Sequence, residues 1–377
     1  MDIYKAGMTN GKTEFKFGAG RYLQSAEALQ GIGEETRRYG QKAYVLGGKT
    51  ALAVVSKKLT QSLTTAGVNF ATGLFSGAPS VGKAKVLAEK LCSDKFDVVI
   101  GVGGGCALDE AKAAAAFAGK RIITVPTTAA TCAAFTPVSL CYHVNGAFDR
   151  AVWHEYEVNS VIADTNLLAA EPTRFLISGM FDAIAKYIEI PNGRLTMDFE
   201  STPIQLHSAY YMARYTYELL TGHAVQAASD LTSSSHTKLL DDVIFLNIAI
   251  TGIISGITRG KGQTALAHWF YDGIRTLFYE PASAYLHGEL VAVGLLAQCV
   301  YNNTPEKIGP LRNLMRKFKL PCSLPEIGIK GSTENITAIC DYVIAEKPMP
   351  ADGWNKQRLI DAFREIRHPS GEDYALQ

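Results

Sequence analysis

Apolar positions in the first half of the chain form short continuous runs that alternate with segments of helical period. The runs are KAYVLGG, FATGLF, FDVVIGVGGG and RIITVPTT, and the segments between them are TALAVVSKKLTQSLTTAG, VGKAKVLAEKLC and ALDEAKAAAAFAG. Apolar strands that alternate with helices are typical of a parallel sheet covered on both faces. The pattern therefore predicts a Rossmann-like α/β domain over residues 1–165. Near its end, Asn145-Gly146 predicts a β-hairpin, and SVIADT predicts one more strand.

Beyond residue 165 the apolar positions follow a helical period. The clearest examples are EPTRFLISGMFDAIAKYIEI, IQLHSAYYMARYTYELL and ELVAVGLLAQCVYN, and few segments there resemble strands. We therefore expect a helical domain over residues 166–377. The predicted fold class is α/β plus all-α, with an N-terminal Rossmann-like parallel sheet domain and a C-terminal helical domain.

Charge and cysteine content limit the kinds of partner and the cellular compartment that we expect for this protein. The 377 residues carry 37 Lys and Arg against 36 Asp and Glu, with no basic or acidic block. This balance favours a small-molecule ligand, and neither nucleic acid nor a membrane as partner. The longest apolar stretch, VIFLNIAITGIISGI (243–257), is shorter than the ~18 residues that span a bilayer and predicts a buried helix. Seven scattered cysteines and the lack of a signal peptide predict a reduced, cytoplasmic protein.

A glycine-rich turn, GVGGGCALDEAK (101–112), follows the apolar run FDVVI. Where a parallel strand meets a helix, free N–H groups and the helix dipole favour an anion, and glycine allows close approach of the backbone. The segment lacks the third glycine of the dinucleotide fingerprint and the Gly-Lys-Ser/Thr of a P-loop. A phosphate cradle and a tight turn packed on a neighbouring strand are equally compatible with the residues alone.

The whole chain resembles the metal-dependent, iron-containing type of alcohol dehydrogenase superfamily, most closely its glycerol dehydrogenase-like branch. The resemblance is carried by GVGGGCALDEAK, VPTTAATCAAFTPVSLCY, FLISGMFDAIAKYIE, ALAHWFYDG, HGELVAVG and LPCSLPEIGI. It implies a dehydroquinate synthase-like fold, an NAD or NADP cofactor and a homo-oligomer. It also places the pyrophosphate on the glycine turn and the nicotinamide half on the segment that follows. The residues implied for these two parts are Gly103, Gly104, Gly105, Thr127, Thr128, Thr136, Val138 and Tyr142.

The same resemblance implies a catalytic metal held by Asp182, His268 and His287. Each residue alone has an ordinary structural reading, as a helix cap or a core histidine. Together they form a set of three N/O donors with a fourth position open, which is typical of a catalytic zinc or ferrous site. Iron-type members carry an extra histidine where this chain has Lys186, so zinc is favoured and iron is the alternative.

Two substitutions argue against glycerol as the substrate. Cys132 stands where glycerol dehydrogenases have an aspartate that contacts the polyol. Lys186 lies four residues after Asp182, hence on the same helix face, where its ammonium would bind a substrate carboxylate. The combination resembles hydroxycarboxylate dehydrogenases, and both residues are predicted substrate contacts. The alternative is that Lys186 pairs with Glu189 or extends into solvent.

The predicted cofactor pocket also departs from the NAD-specific pattern. The acidic residue that usually binds the adenosine ribose is replaced by Gly48, followed by Lys49, which favours acceptance of NADP. Cys106 stands where glycerol dehydrogenases have a lysine beside the pyrophosphate.

We therefore expect a metal-dependent NAD(P)-linked oxidoreductase whose favoured substrate is a 2-hydroxy or 2-oxo carboxylic acid. Three alternatives remain: a glycerol or polyol dehydrogenase, a dehydroquinate synthase-like cyclase, and a non-catalytic metabolite-binding relative.

Overall fold

The computed structural model describes residues 16–143, 146–194, 196–260, 262–350 and 352–369, and the backbone of two short strands at 8–9 and 12–13. The chain divides into two compact units. The sheet unit comprises Lys16–Gly179 and Gln226–Gly256, and the helical unit comprises Met1–Phe15, Met180–Val225 and Ile257–Gln377. Each unit is therefore built from segments that are not contiguous in the sequence. The division into domains at residue 165 stays a prediction.

The strands are Met8–Thr9 (β1), Lys12–Thr13 (β2), Tyr22–Ser25 (β3), Lys42–Gly48 (β4), Asn69–Phe75 (β5), Val98–Gly103 (β6), Arg121–Pro126 (β7), Val138–Tyr142 (β8), Phe148–Trp153 (β9) and Ser160–Asp164 (β10). The helices are Ile32–Arg37 (α1), Lys49–Thr65 (α2), Val81–Ser93 (α3), Gly105–Ala118 (α4), Thr165–Leu168 (α5), Thr173–Glu189 (α6), Ile204–Thr232 (α7), Lys238–Phe245 (α8), Thr251–Thr258 (α9), Leu266–Leu277 (α10), Tyr279–Ala282 (α11), His287–Tyr301 (α12), Ile308–Lys317 (α13), Thr333–Glu346 (α14) and Lys356–Arg364 (α15).

Six strands of the sheet unit form one parallel sheet in the order β3-β10-β7-β6-β4-β5. The central strand β6 is buried along its whole length because its residues, VVIGVG, are apolar on both faces. In register, Ile100 pairs with Val45 on one side and with Ile123 on the other. Together with the helices, this sheet confirms the predicted Rossmann-like fold class.

A separate hairpin interrupts the parallel pattern. Strands β8 and β9 pair antiparallel, with Val138 opposite Trp153, and Gly146 has a φ of 82° between them. The predicted hairpin is therefore confirmed, although Asn145 of the predicted turn lies outside the described residues.

The helical unit is built around α12, which is buried on nearly every side and packs against α10 and α15. At Gly294 of α12, a Cβ atom would lie 2.8 Å from the Cα of Ala267 on α10. The absence of a side chain there lets the two helices approach closely. Both helices carry predicted metal ligands, so this contact fixes their spacing.

Among the described residues, one helix is long and apolar enough to cross a membrane. It runs over 21 residues, 238–258, through α8, a π-helical turn at Leu246–Ile250 and α9. Within its apolar window, 67% is buried, as in the core helix of a globular unit. The predicted helix over 243–257 is confirmed and begins five residues earlier, at Lys238.

Candidate metal centre and dinucleotide site

The predicted metal ligands come together within the helical unit. Asp182 lies on α6, His268 on α10, and His287 is the first residue of α12. Their donor atoms lie within 4.8 Å of one another. The Oδ1 atom of Asp182 is 3.2 Å from Nε2 of His268 and 3.8 Å from Nε2 of His287. Three N/O donors converging in this way fit a divalent cation such as zinc or ferrous iron.

Lys186 also reaches this cluster. Its Nζ atom lies 2.9 Å from Oδ1 of Asp182 and 3.1 Å from Nε2 of His268. Its side chain is only 4% exposed, so the alternative that it extends into solvent is wrong. Two of the three donors therefore already face one cation, which supports their fit to a metal ion.

Glu189 is a part of the site that the sequence reasoning missed. This carboxylate is fully buried, and its Oε1 atom accepts hydrogen bonds from the backbone N–H groups of Ala265 (2.7 Å) and His268 (2.9 Å). It thereby caps the N-terminus of α10. Its Oε2 atom lies 2.5 Å from Nδ1 of His268, which donates to it and so directs Nε2 toward Asp182.

The spacing along α6 contained the signal for Glu189. Asp182, Lys186 and Glu189 are at positions i, i+4 and i+7, which share one helix face. The sequence placed Glu189 on that face only as a partner for Lys186. Its actual role, to orient a histidine that lies 79 residues further along the chain, depends on tertiary structure.

Buried opposite charges determine the electrostatics of the cluster. Burial alone would raise the pKa of the Asp182 carboxyl, but the ammonium of Lys186, together with His268 and His287, outweighs it and holds the pKa well below its usual value. Burial would likewise raise the pKa of Glu189, but His268 and Lys186 lower it. Both carboxylates are therefore ionised at neutral pH and able to support a metal and its ligand.

The glycine turn lies in the sheet unit, between β6 and α4. Its positions require glycine for different structural reasons. A Cβ at Gly101 would lie 2.8 Å from Cβ of Ala111, and Gly103 has a φ of 145°, so packing and backbone geometry explain both. At Gly104 and Gly105 the nearest atoms are the hydroxyls of Thr128 and Thr131, each 3.3 Å away. These two glycines are the ones that leave room beside polar groups at a helix N-terminus.

The other predicted cofactor residues surround the carboxyl edge of the same sheet. Gly48 ends β4, which pairs with β6, and Lys49 begins α2. The backbone N–H of Thr127 donates to the carbonyl of Gly103 at 3.1 Å. The remaining cofactor positions are exposed Cys106, partly buried Thr128, Val138 and Tyr142, and buried Thr136. Cys132, the predicted substrate contact, is partly buried.

Lys112, on α4, is a second residue that the sequence reasoning missed. It is 1% exposed, and its ammonium donates to the carbonyls of Ala133 (2.7 Å), Thr136 (3.1 Å) and Val138. Asp109, three residues earlier, pairs with it at 3.0 Å. Lys112 therefore fixes the segment that contains several predicted cofactor residues. The Asp-x-x-Lys spacing in GVGGGCALDEAK was the available signal.

Comparisons with known proteins agree with this fold. A profile of the family described as iron-containing alcohol dehydrogenase matches residues 19–164. A glycerol dehydrogenase from Thermotoga maritima is 33% identical over 341 residues, which cover 88% of this chain and 91% of that protein. Hydroxycarboxylate dehydrogenase A from Escherichia coli is 30% identical over 314 residues, which cover 82% and 83% of the two chains. The crystal structure of glycerol dehydrogenase from Schizosaccharomyces pombe matches with a TM-score of 0.83 at 27% identity, covering 94% of this chain and 90% of that one.

The fold and these relatives define a metal-dependent alcohol oxidoreductase that acts on small molecules. The chain belongs to the iron-containing alcohol dehydrogenase family, in its glycerol dehydrogenase-like branch.

Proposed function

We propose that this protein interconverts a small 2-hydroxy acid and the corresponding 2-oxo acid, with NADP or NAD as the hydride carrier. The observation that carries the proposal is the buried ammonium of Lys186, which lies among the three metal-ligand candidates. A substrate whose reacting carbonyl is beside a carboxylate would place that anion next to this ammonium.

The residues of the helical unit have separate roles in this reaction. Asp182, His268 and His287 would hold the metal, for which zinc is favoured and iron is the alternative. When bound there, a divalent metal supplies Lewis-acid polarisation of the carbonyl oxygen and stabilises the alkoxide. Lys186 binds and orients the substrate carboxylate. Glu189 keeps the ring of His268 in the orientation that presents Nε2 to the metal.

The residues of the sheet unit hold the dinucleotide. Gly103, Gly104 and Gly105 cradle the pyrophosphate at the N-terminus of α4, where backbone N–H groups face an anion. Gly48 presents no carboxylate to repel a 2′-phosphate, and Lys49 adds a cation beside it, so NADP is accepted. We assign the dinucleotide to residues 1–165 and the metal and substrate to residues 166–377, in a cytoplasmic homo-oligomer.

A glycerol or polyol dehydrogenase is the second candidate. It is favoured by the glycerol dehydrogenase of Thermotoga maritima, the more identical of the two curated relatives described above. Cys132 weighs against it, because a thiol replaces the carboxylate that accepts hydrogen bonds from polyol hydroxyls. The cyclase and the non-catalytic relative receive no support from relatives named as dehydrogenases.

The test compares two substrates that differ in one group, glyoxylate and glycolaldehyde, with the wild type and Lys186→Met. We expect the ratio of kcat/KM for glyoxylate to that for glycolaldehyde to fall about 10- to 100-fold in the variant. This corresponds to the ~1.5–3 kcal/mol of a hydrogen bond to a charged group. Lys356→Met, which removes an exposed lysine paired with Asp341, is the control and should leave the ratio unchanged. An unchanged ratio in Lys186→Met, or a wild type that oxidises glycerol but reduces no oxo acid, would refute the proposal.

A further inference from the structure

Lys186 lies between two of the three predicted metal ligands, Asp182 and His268. Its Nζ atom lies 2.9 Å from Oδ1 of Asp182 and 3.1 Å from Nε2 of His268, and those two atoms are 3.2 Å apart. The side chains of Lys186 and Asp182 are 4% and 5% exposed, so water does not weaken the pair. The ammonium and the two acceptors therefore form a compact buried triangle.

The two ring nitrogens of His268 limit which partners this residue can bind at the same time. Its Nδ1 atom faces the carboxylate of Glu189 at 2.5 Å, and a carboxylate only accepts, so Nδ1 carries the proton. An ammonium only donates, so the 3.1 Å contact between Nζ of Lys186 and Nε2 of His268 requires the lone pair of Nε2. That lone pair either accepts a hydrogen bond from Lys186 or binds a metal ion, and it cannot do both.

Electrostatic repulsion also opposes the binding of a metal ion while the ammonium of Lys186 stays in the cluster. Asp182 pairs with the ammonium of Lys186 at 2.9 Å, and Glu189 pairs with His268 at 2.5 Å, so the carboxylate of Asp182 already has a cationic partner. A divalent cation bound to Asp182 at ~2.0–2.2 Å would stand directly against that ammonium if it stayed in place. Two cations at such a distance, in a buried site, repel strongly.

We propose that Lys186 is a tethered cation that competes with the divalent metal for Asp182 and His268, so that metal binding expels its ammonium from the donor cluster. The lysine thereby lowers the affinity of the site for metal and stabilises the metal-free protein. The inference rests on the metal site of the proposed function, but not on the identity of the substrate. It also implies an order of binding, since the ammonium of Lys186 becomes available to a substrate carboxylate only after the metal displaces it from Asp182 and His268.

The experiment measures zinc affinity without dinucleotide or substrate, by competition with a chromophoric chelator, for the wild type, Lys186→Met and Lys186→Gln. Methionine keeps the volume and glutamine keeps a polar group, but neither carries charge. We expect both variants to bind zinc about 10- to 100-fold more tightly, the range by which groups next to a metal ligand change affinity. Lys356→Met should bind zinc like the wild type. Equal or weaker zinc binding in both Lys186 variants would overturn the inference.

Thermal unfolding gives a second readout. Without its ammonium, Asp182 is a buried carboxylate that has lost its cation, so the metal-free variants should melt at a lower temperature than the wild type. Zinc should then raise Tm by more in the variants than in the wild type, since ligand-induced stabilisation grows with affinity. If a metal-free variant does not fold, it is purified with zinc, and slower release to the chelator than from the wild type is the expected result. Release at the wild-type rate or faster would contradict the inference.

The structure of zinc-loaded wild-type protein provides the direct test. The Nζ atom of Lys186 should lie beyond hydrogen-bonding distance of Nε2 of His268, and its persistence within 3.5 Å of that atom would refute expulsion. The two proposals fail separately. Tighter zinc binding in the Lys186 variants with no dehydrogenase activity in the wild type would remove the proposed function alone. Oxo-acid reduction with unchanged zinc affinity would remove this inference alone.

Discussion

Three buried carboxyl groups in this chain are accommodated in different ways. Asp182 is ionised against the ammonium of Lys186, and Glu189 is ionised against the ring of His268. Glu171, in the sheet unit, pairs with no cation among the residues that the structure describes, and its Oε2 atom accepts a hydrogen bond from the backbone N–H of Ala129 at 2.9 Å. Burial raises the pKa of Glu171 to about 8. Because a buried carboxylate without a countercharge is costly, Glu171 is protonated at neutral pH.

The raised pKa of Glu171 predicts a pH dependence of stability with a definite sign. The folded protein holds this proton more tightly than the unfolded chain, where the pKa is near 4.5. The stabilisation is therefore complete below about pH 4.5 and is lost as the pH rises toward about 8. Between pH 5 and 9 the loss is at most about 4 kcal/mol, at ~1.4 kcal/mol for each pKa unit.

Glu171→Gln tests this prediction, because glutamine keeps an acceptor for Ala129 but does not ionise. Free energies of unfolding in urea, measured at pH 5 and pH 9, should fall less with pH in Glu171→Gln than in the wild type. The difference between the two proteins isolates Glu171 from every other titrating group. Parallel pH profiles would show that Glu171 is ionised, or exposed, in the folded protein.

At the scale of elements, the segment after β7 is held by side chains more than by regular structure. Lys112 of α4 donates to the carbonyls of Ala133, Thr136 and Val138, and the hydroxyl of Thr124 donates to the carbonyl of Ala134. Backbone carbonyls buried in an irregular segment need such donors. The segment includes predicted cofactor residues, so its shape depends on one lysine.

Replacement of Lys112 should therefore be far more costly than replacement of an exposed lysine with similar bonds. Lys112→Met removes the ammonium that donates to three carbonyls and pairs with Asp109, and we expect the free energy of unfolding to fall by about 3–5 kcal/mol. Lys83 is the matched control, since its ammonium donates to the carbonyls of Ser76 and Ala78, each at 3.0 Å, but the residue is exposed. Lys83→Met should cost less than about 1 kcal/mol. Chemical denaturation of both variants checks the contrast, and similar losses would contradict it.

The elements themselves followed from the sequence where periodicity is local. The strands β4, β5, β6 and β7 and the hairpin of β8 and β9 lie where apolar runs and turn residues predict them. The π-helical turn at Leu246–Ile250 could not be predicted, because it lies in the nearly continuous apolar run 243–257, where one extra residue shifts no boundary between apolar and polar faces. That turn places Nδ2 of Asn247 on the carbonyls of Ala129 and Leu176, a contact visible only in the folded unit.

At the scale of the whole molecule, the sequence could indicate which residues form the candidate metal centre but not their geometry. Asp182, His268 and His287 stand out through resemblance, and the structure brings them within 4.8 Å. The position of Lys186 between two of them could not be predicted, because helix spacing fixes a face and not the direction of a long side chain. The assembly of each unit from non-contiguous segments likewise depends on contacts between residues that are far apart in the chain.

The candidate metal ligands belong to the helical unit and the glycine turn belongs to the sheet unit, so the two sites should respond to mutation independently. We expect His287→Ala to release zinc and to reduce turnover at least about 100-fold, because it removes one of three protein ligands. Its affinity for NADPH, measured by fluorescence, should stay within about twofold of the wild type.

Gly104→Ala should instead affect the dinucleotide site and not the metal, since the added Cβ would lie 3.3 Å from the Thr128 hydroxyl and intrude on the dinucleotide side. We expect weaker NADPH binding in that variant with zinc content unchanged. If His287→Ala lost dinucleotide affinity as well, or if Gly104→Ala lost zinc, the two sites would be coupled through folding, and the assignment of one function to each unit would not stand.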